Sequence, residues 1–168
     1  MPENRTRRRA QRDKAEGKAP STQAGEYVRE EINHVREGKH GARSSKQAIA
    51  IGLSKARRAG VALAPPEAGK TSESTRRKAR SDSARGRRGT ASRRPSPARS
   101  RATKGALQRE GHSSATRQSL SRQGKSAAAR RTPSARSAAA EKAVRTKGLA
   151  RRKAAAKKAA RTRAAHAE

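Results

Sequence analysis

The stretch STQAGEYVREEINHVREGKHGARSSKQAIAIGLSKARRAGVALA, Ser21 to Ala64, decides the fold of this chain. Within it Ala24, Val28, Ile32 and Val35 recur at spacings of four, four and three, which places them within about 80° of one another on a helical wheel. Glu30, Asn33 and Glu37 fall on the opposite side, and Tyr27 stands at the edge of the apolar face. Ser21 or Thr22 suits the start of this helix, and Gly38 suits a left-handed C-terminal cap. A second helix is predicted after Ser44, which has capping-box spacing to Gln47, and it ends at Gly60. Ala48, Ile49, Gly52, Leu53, Ala56 and Ala59 form its apolar side, with Gly52 and the alanines permitting close approach. The short Gly38-to-Arg43 connection predicts a helical hairpin.

Around this block the chain is strongly basic. Its 168 residues include 45 Lys or Arg against 13 Asp or Glu, a net charge of +32. Of about 50 hydrophobic residues 36 are Ala, and nine of the 14 larger ones lie between Tyr27 and Leu63. There is no Phe, Trp or Cys, so the chain lacks the side chains to fill one core along its whole length. Low hydrophobicity with high charge predicts disorder in the free state. Burying the hairpin's aliphatic residues at roughly 1.5 to 3 kcal/mol each must offset about 1 to 2 kcal/mol of backbone entropy per ordered residue. The hairpin is therefore expected to be marginal alone and to be stabilised by dimerisation, a further helix from the tail, or nucleic acid.

The expected fold class is mainly α with extensive disorder and no sheet. Residues 1–20 read as a basic flexible arm, 21–64 as the hairpin, 65–100 as a disordered Pro/Ser/Arg/Gly linker, and 101–168 as a basic Ala-rich tail of intermittent or binding-induced helices. Pro65-Pro66 marks a boundary, and charge divides there: residues 1–66 carry +8, residues 67–168 carry +24. The tail has excellent helix propensity broken at Gly111, Gly124, Pro133 and Gly148. Arg93-Arg94 with Ala98-Arg99-Ser100 echoes Arg130-Arg131 with Ala135-Arg136-Ser137.

Such an excess of cations predicts a polyanionic partner. Lys153, Lys157 and Arg161 stand at successive i, i+4 spacings, where like charges repel. Neutralisation by phosphates would leave propensity unopposed, so the tail is expected to become helical on DNA or RNA; a permanently disordered counterion is the competing reading. The candidate nucleic-acid-binding residues are Arg7, Arg8, Arg9, Arg43, Lys46, Lys55, Arg57, Arg58, Arg87, Arg88, Arg93, Arg94, Arg130, Arg131, Arg151, Arg152, Lys153, Lys157, Lys158, Arg161 and Arg163. With one aromatic residue there is no stacking platform for single strands, so backbone contacts with low sequence specificity are expected.

Other chemistry finds little footing. Gly69-Lys70-Thr71 ends like a phosphate-binding loop, but Ala64 occupies the place of its first Gly. His34, His40, His112 and His166 lack ligand spacing and carboxylate company, so no metal or cofactor is expected. Glu26, Glu30, Glu31 and Glu37 read as partners for Arg29, Arg36 and other bases rather than a catalytic pair, and an enzyme is not expected. Arg85-Gly86-Arg87-Arg88-Gly89 forms a single Arg-Gly box, and the Ser-Arg dipeptides near Ser92, Ser100 and Ser121 offer phosphorylation targets. The longest apolar run, Ala48 to Leu53, is too short to span a membrane, and no apolar segment follows Arg7-Arg8-Arg9 to make a signal sequence, so a cytoplasmic protein is expected.

The segments Ser21-Thr22-Gln23-Ala24-Gly25-Glu26, Val28-Arg29-Glu30-Glu31, Arg36-Glu37-Gly38-Lys39-His40-Gly41 and Ser45 to Gly60 resemble a family of small, basic bacterial proteins carrying a domain of unknown function. The tail is similar to bacterial histone-like proteins with linker-histone-type Ala-Lys tails. These resemblances imply a DNA-associated role and supply no catalytic residues. The resulting expectation is a nucleoid-associated protein that neutralises, bridges or compacts DNA. An RNA or ribosome partner, or a scaffold that uses the hairpin for a protein partner, are the alternatives.

Overall fold

The computed structural model describes residues 3–89 and 96–165, and every regular element among them is helical. In order these are α1 (Asn4–Ala15), α2 (Pro20–Arg36), α3 (Ser45–Arg58), α4 (Glu73–Arg87), α5 (Pro97–Gln108), a 3₁₀ turn (Ser113–Ala115), α6 (Arg117–Ala129) and α7 (Pro133–Ala164). The chain divides into two compact units, Met1–Gln123 and Gly124–Glu168.

The first unit is organised on the expected hairpin of α2 and α3. Ser44 accepts from the Gln47 backbone N–H at 3.2 Å, and Gln47 Oε1 accepts in return from Arg43 N–H at 2.9 Å, so the box closes one residue early. At the other entry α2 starts at Pro20 with Ala19 in the capping place, and Ser21 and Thr22 lie inside its first turn. The helix ends as expected: Gly38 has φ 72°, its N–H reaches Val35 O at 3.3 Å, and Lys39 N–H reaches His34 O at 2.9 Å. The helices run antiparallel, with Ala24 and Tyr27 sharing a cluster with Ala56, Val28 meeting Gly52, and Val35 sharing a second cluster with Ala48. A Cβ on Gly52 would lie 2.6 Å from Val28 Cα, so the two backbones meet where only glycine fits. Tyr27 is not at an edge; it is buried among Ala10, Ala24, Ala56 and Val61.

Elements outside the hairpin complete both of its sides. On one side α1 packs against α2 and buries Thr6, Ala10 and Asp13. On the other α4 packs against α3 with Ala79 and Asp82 inward, and contacts advance the same way along both helices, from Asp82 at Ser54 to Gly86 at Arg57. The hairpin's turn is closed by the end of α5 and the segment after it: Gly41 and Ala42 donate to Leu107 O and Gly111 O at 2.8 and 3.0 Å. Ser45 Oγ donates to Ser114 O at 2.6 Å, Arg36 Nε donates to Ala115 O at 2.9 Å, and Ala115 joins Val35, Ala42 and Ala48.

The expectation of extensive disorder is overturned. The arm at 1–20 contains α1, and the linker at 65–100 contains α4 and the start of α5, while residues 90–95 lie outside the described residues. Two physical reasons account for the difference. The core is assembled largely from alanine and backbone brought close together, which a count of large side chains misses. It also takes in charged groups that find partners inside, among them Asp13, Glu31 and Asp82.

The second unit is dominated by α7. Thr132 Oγ1 accepts from Ala135 N–H at 3.2 Å with Pro133 in the first helical position, the same start that Ser96 and Pro97 give α5. Both starts fall within the echoed segments of the sequence, one residue out of register with the echo. Gly148, with φ 64° and ψ 167°, interrupts the helix as expected, whereas α6 passes through Gly124 without a break. Every described side chain of α7 is exposed. The tail is thus helical over most of its described length rather than extensively disordered. The magnitudes agree with this: like-charge i, i+4 pairs cost about 0.2 to 0.5 kcal/mol each, while each Ala improves on an average residue by a similar amount and is far more frequent here.

Candidate nucleic-acid interface

The basic residues separate into those consumed by the fold and those presented to solvent. Arg57 belongs to the first group. It is 8% exposed, and its guanidinium donates to Leu63 O and Ala64 O at 3.4 and 3.1 Å, tying the segment after α3 to the helix. Burial pulls its pKa below the ordinary arginine value, with nearby Asp82 opposing. Lys55 likewise turns inward and meets Glu31 Oε2 at 2.5 Å. Arg58 lies between, half exposed, 3.9 Å from Asp82 and donating to Ser54 O. Of the candidates on α3 only Lys46 stands fully outside, and Arg43 is exposed just before the helix. The helix does not present the continuous basic face of a recognition helix; Lys55 and Arg58 are distinguished by contact with carboxylates remote in sequence, and Arg57 by backbone carbonyls of the segment after the helix.

On α1 the structure gathers a surface that extends the candidate set. Arg5, Arg8, Arg9 and Arg12 follow the i, i+3, i+4, i+7 spacing of one helical face and line a hollow of about 280 Å³. Arg7 and Arg8 are exposed, and Arg9 leans toward Glu26 at 3.8 Å. Arg5 and Arg12 were missed because the segment reads as a flexible arm; once it is a helix their spacing identifies them.

Arg87 and Arg88 are exposed at the end of α4, but the Arg-Gly box around them serves the fold, since Gly86 approaches Arg57 O too closely for any Cβ. Arg93, Arg94 and Ser92 lie outside the described residues. In the second unit Arg130, Arg131, Lys153, Lys157, Lys158, Arg161 and Arg163 are all exposed, and Arg151 and Arg152 lie on α7. With Glu141, 3.8 Å from Arg145, as its one acidic residue, α7 is cationic on every side.

The acidic residues divide as well: Glu3, Glu16, Glu37, Glu67, Glu73 and Glu141 are exposed, and four others are drawn into the fold. Glu30, Glu31 and Asp82 are nearly inaccessible, at 6%, 1% and 1% exposure. Asp82 accepts from Ser54 Oγ at 2.6 Å and sits 3.4 Å from Lys78. The histidines correct another expectation, because His34 and His40 do have carboxylate company: His34 Nε2 is 3.1 Å from Glu3 Oε1 and His40 Nε2 is 3.1 Å from Glu31 Oε1. The hydrogen bond to His34 and the contact with Lys39 hold the Glu3 carboxyl below its ordinary pKa. Glu30 to His34 and Glu31 to His34 are i, i+4 and i, i+3 pairs, a signal that the sequence carried.

These features define an all-helical protein that draws Asp13, Glu30, Glu31 and Asp82 inward and leaves most of its basic residues exposed among the described residues. No helix of the described residues is long and apolar enough to cross a membrane. Residues 13–67, about a third of the chain, match a family model described as a family of unknown function, DUF6496, and this span holds the whole block on which the resemblance rests. Neither the curated proteins nor the solved structures contain a match to the chain.

Proposed function

We propose that this is a non-enzymatic nucleic-acid-binding protein of the histone-like, nucleoid-associated kind, cytoplasmic in a bacterium, which binds and compacts DNA through the phosphate backbone. The observation that carries the reading is the excess of exposed cations: four carboxylates, Asp13, Glu30, Glu31 and Asp82, turn inward in the first unit, while α1 and α7 offer arginine and lysine to solvent. A helical segment with cations on all sides, bent at Gly148, can lie against one duplex and still present charge to another, which suits bridging and compaction. Each neutralised duplex phosphate adds about 0.9 to the log–log salt slope. Engagement of about ten of the 45 cations would then give a slope near −9. The scarcity of aromatic residues argues for duplex over single strands and for low sequence specificity.

The test is binding of nuclease-treated, full-length protein to matched DNA and RNA duplexes across a salt series. Tighter binding to DNA with a steep slope is the expected result. Preference for the A-form RNA duplex would move the assignment to an RNA or ribosome partner, and weak binding with a shallow slope to a scaffold whose partner is a protein.

A further inference from the structure

Three short segments that are apart in sequence or on different elements converge beside the α2–α3 turn. Glu3 precedes α1, Glu30, Glu31 and His34 occupy the second half of α2, and His40 lies in the turn itself. One ligating atom from each of Glu31, His34 and His40 lies within 4.8 Å of the others, and the same holds for Glu3, Glu30 and His34. We propose that this cluster binds a divalent transition-metal ion, with zinc as the best fit, through His34, His40 and Glu31, the fourth position being taken by Glu3, Glu30 or water.

The chemistry of the groups supports a cation between them. His40 Nδ1 lies 3.0 Å from the Gly41 carbonyl oxygen, which can only accept, so that nitrogen carries a proton. In the neutral ring Nε2 then points a lone pair toward Glu31 Oε1, 3.1 Å away and itself an acceptor. Two facing lone pairs need a proton or a metal ion between them. A carbonyl that fixes the far nitrogen of a histidine is also the usual outer support of a metal ligand. Tetrahedral zinc at about 2.0 to 2.1 Å from its ligands sets them about 3.3 Å apart, close to the 3.1 Å of both the His40–Glu31 and His34–Glu3 pairs.

A second, independent feature is an unsatisfied carboxylate. Glu30 is 6% exposed; its Oε1 accepts from the Glu3 backbone N–H at 2.5 Å, and its Oε2 has no hydrogen-bond partner. An isolated buried carboxylate oxygen is costly, and a bound cation beside it removes that cost. Lys55 does not compete for the same atom, because it meets Glu31 at Oε2 and leaves Oε1 toward His40. Two imidazoles with carboxylates form a donor set that suits zinc better than the oxygen-preferring magnesium or calcium. The ion would tie the start of α1 to the hairpin turn, so its binding would raise the melting temperature.

The experiment is zinc titration calorimetry with elemental analysis on untagged, full-length protein freed of metal by chelator and dialysis. One zinc per chain with a rise in melting temperature is expected. In His34→Asn and His40→Gln affinity should fall at least tenfold, while His112→Asn, outside the cluster, leaves it unchanged. No binding, or unchanged affinity and stoichiometry in the His34→Asn/His40→Gln double variant, would overturn the proposal in favour of an ion-paired cluster. Should the variants not fold, X-ray absorption of the zinc-loaded wild type decides: scattering from two imidazoles supports the site, and a shell of oxygen atoms alone overturns it.

Discussion

Met1–Gln123 and Gly124–Glu168 draw on the same few residue types and differ in what becomes of their charge. The first has 31 basic and 11 acidic residues, the second 14 and two. In the first, carboxylates are inserted between helices and hold bases in place: Glu31 joins α2 to α3 through Lys55, and Asp82 joins α4 to α3 through Ser54. In the second, α7 has no buried residue among those described and too few acids to pair its cations, and it is helical because alanine makes it so. Alanine serves both regions in different ways, as a contact surface in the hairpin and as a source of backbone propensity in α7. A basic chain can therefore fold by reserving its scarce acids for one region and leaving the other as a charged rod.

Removing the rod gives the largest expected effect. A chain ending at Ala129 loses 13 basic and two acidic residues. Its affinity for duplex DNA at low salt should fall at least about 100-fold, with a shallower salt slope, while the cooperative melting of the first unit stays in place. Calorimetry and a salt series on the same preparation check both halves. Retained affinity would place binding on α1 and the hairpin instead, and loss of the melting transition would show that the two regions are not separate in stability.

The inverse experiment attacks the first unit through its paired charge. Glu31→Ala leaves Lys55 without its carboxylate in a mostly buried setting, and loss of one partner of such a pair costs about 3 to 5 kcal/mol. Glu141→Ala, which breaks the exposed pair with Arg145, should change stability by less than about 1 kcal/mol. Denaturant unfolding of the two variants measures the contrast, and equal effects would refute the division drawn between internal and surface acids.

Gly52→Ala tests the close approach of α2 and α3 at a smaller scale. The added methyl meets the Val28 backbone, so the helices must separate or shift, at a cost of about 1 to 3 kcal/mol. That contact was legible in the sequence, as were the hairpin, the Ser44 cap and the Gly38 terminus, because each is written in local spacing. What was not legible is instructive. The inward faces of α1 and α4 are Thr6, Ala10 and Asp13, and Ala79 and Asp82. Their spacing is helical, but a search for apolar periodicity does not see threonine and aspartate as core. Arg57 and Lys55 looked like surface cations because their carbonyl and carboxylate partners are placed by tertiary structure, and the His34–His40 cluster needs the fold to bring Glu3 and Glu31 to it.

The smallest effect concerns the break in α7. Gly148 is exposed, and a Cβ built on it meets nothing within 4 Å, so no described contact requires the bend. Its left-handed φ is nevertheless strained for any other residue, and alanine there favours the ordinary helical conformation. In Gly148→Ala the two halves of α7 should join into one straight helix, with a helix stabilised by about 0.5 to 1 kcal/mol and a small gain in helical ellipticity. The first unit's melting should not change, since nothing in the hairpin depends on this position. DNA affinity then separates two uses of the rod. If phosphate neutralisation alone matters, straightening leaves the salt slope as it was, because no cation has been added or removed. If the bend lets both halves follow one duplex, the slope becomes shallower in the variant, as fewer of its cations reach phosphates at once.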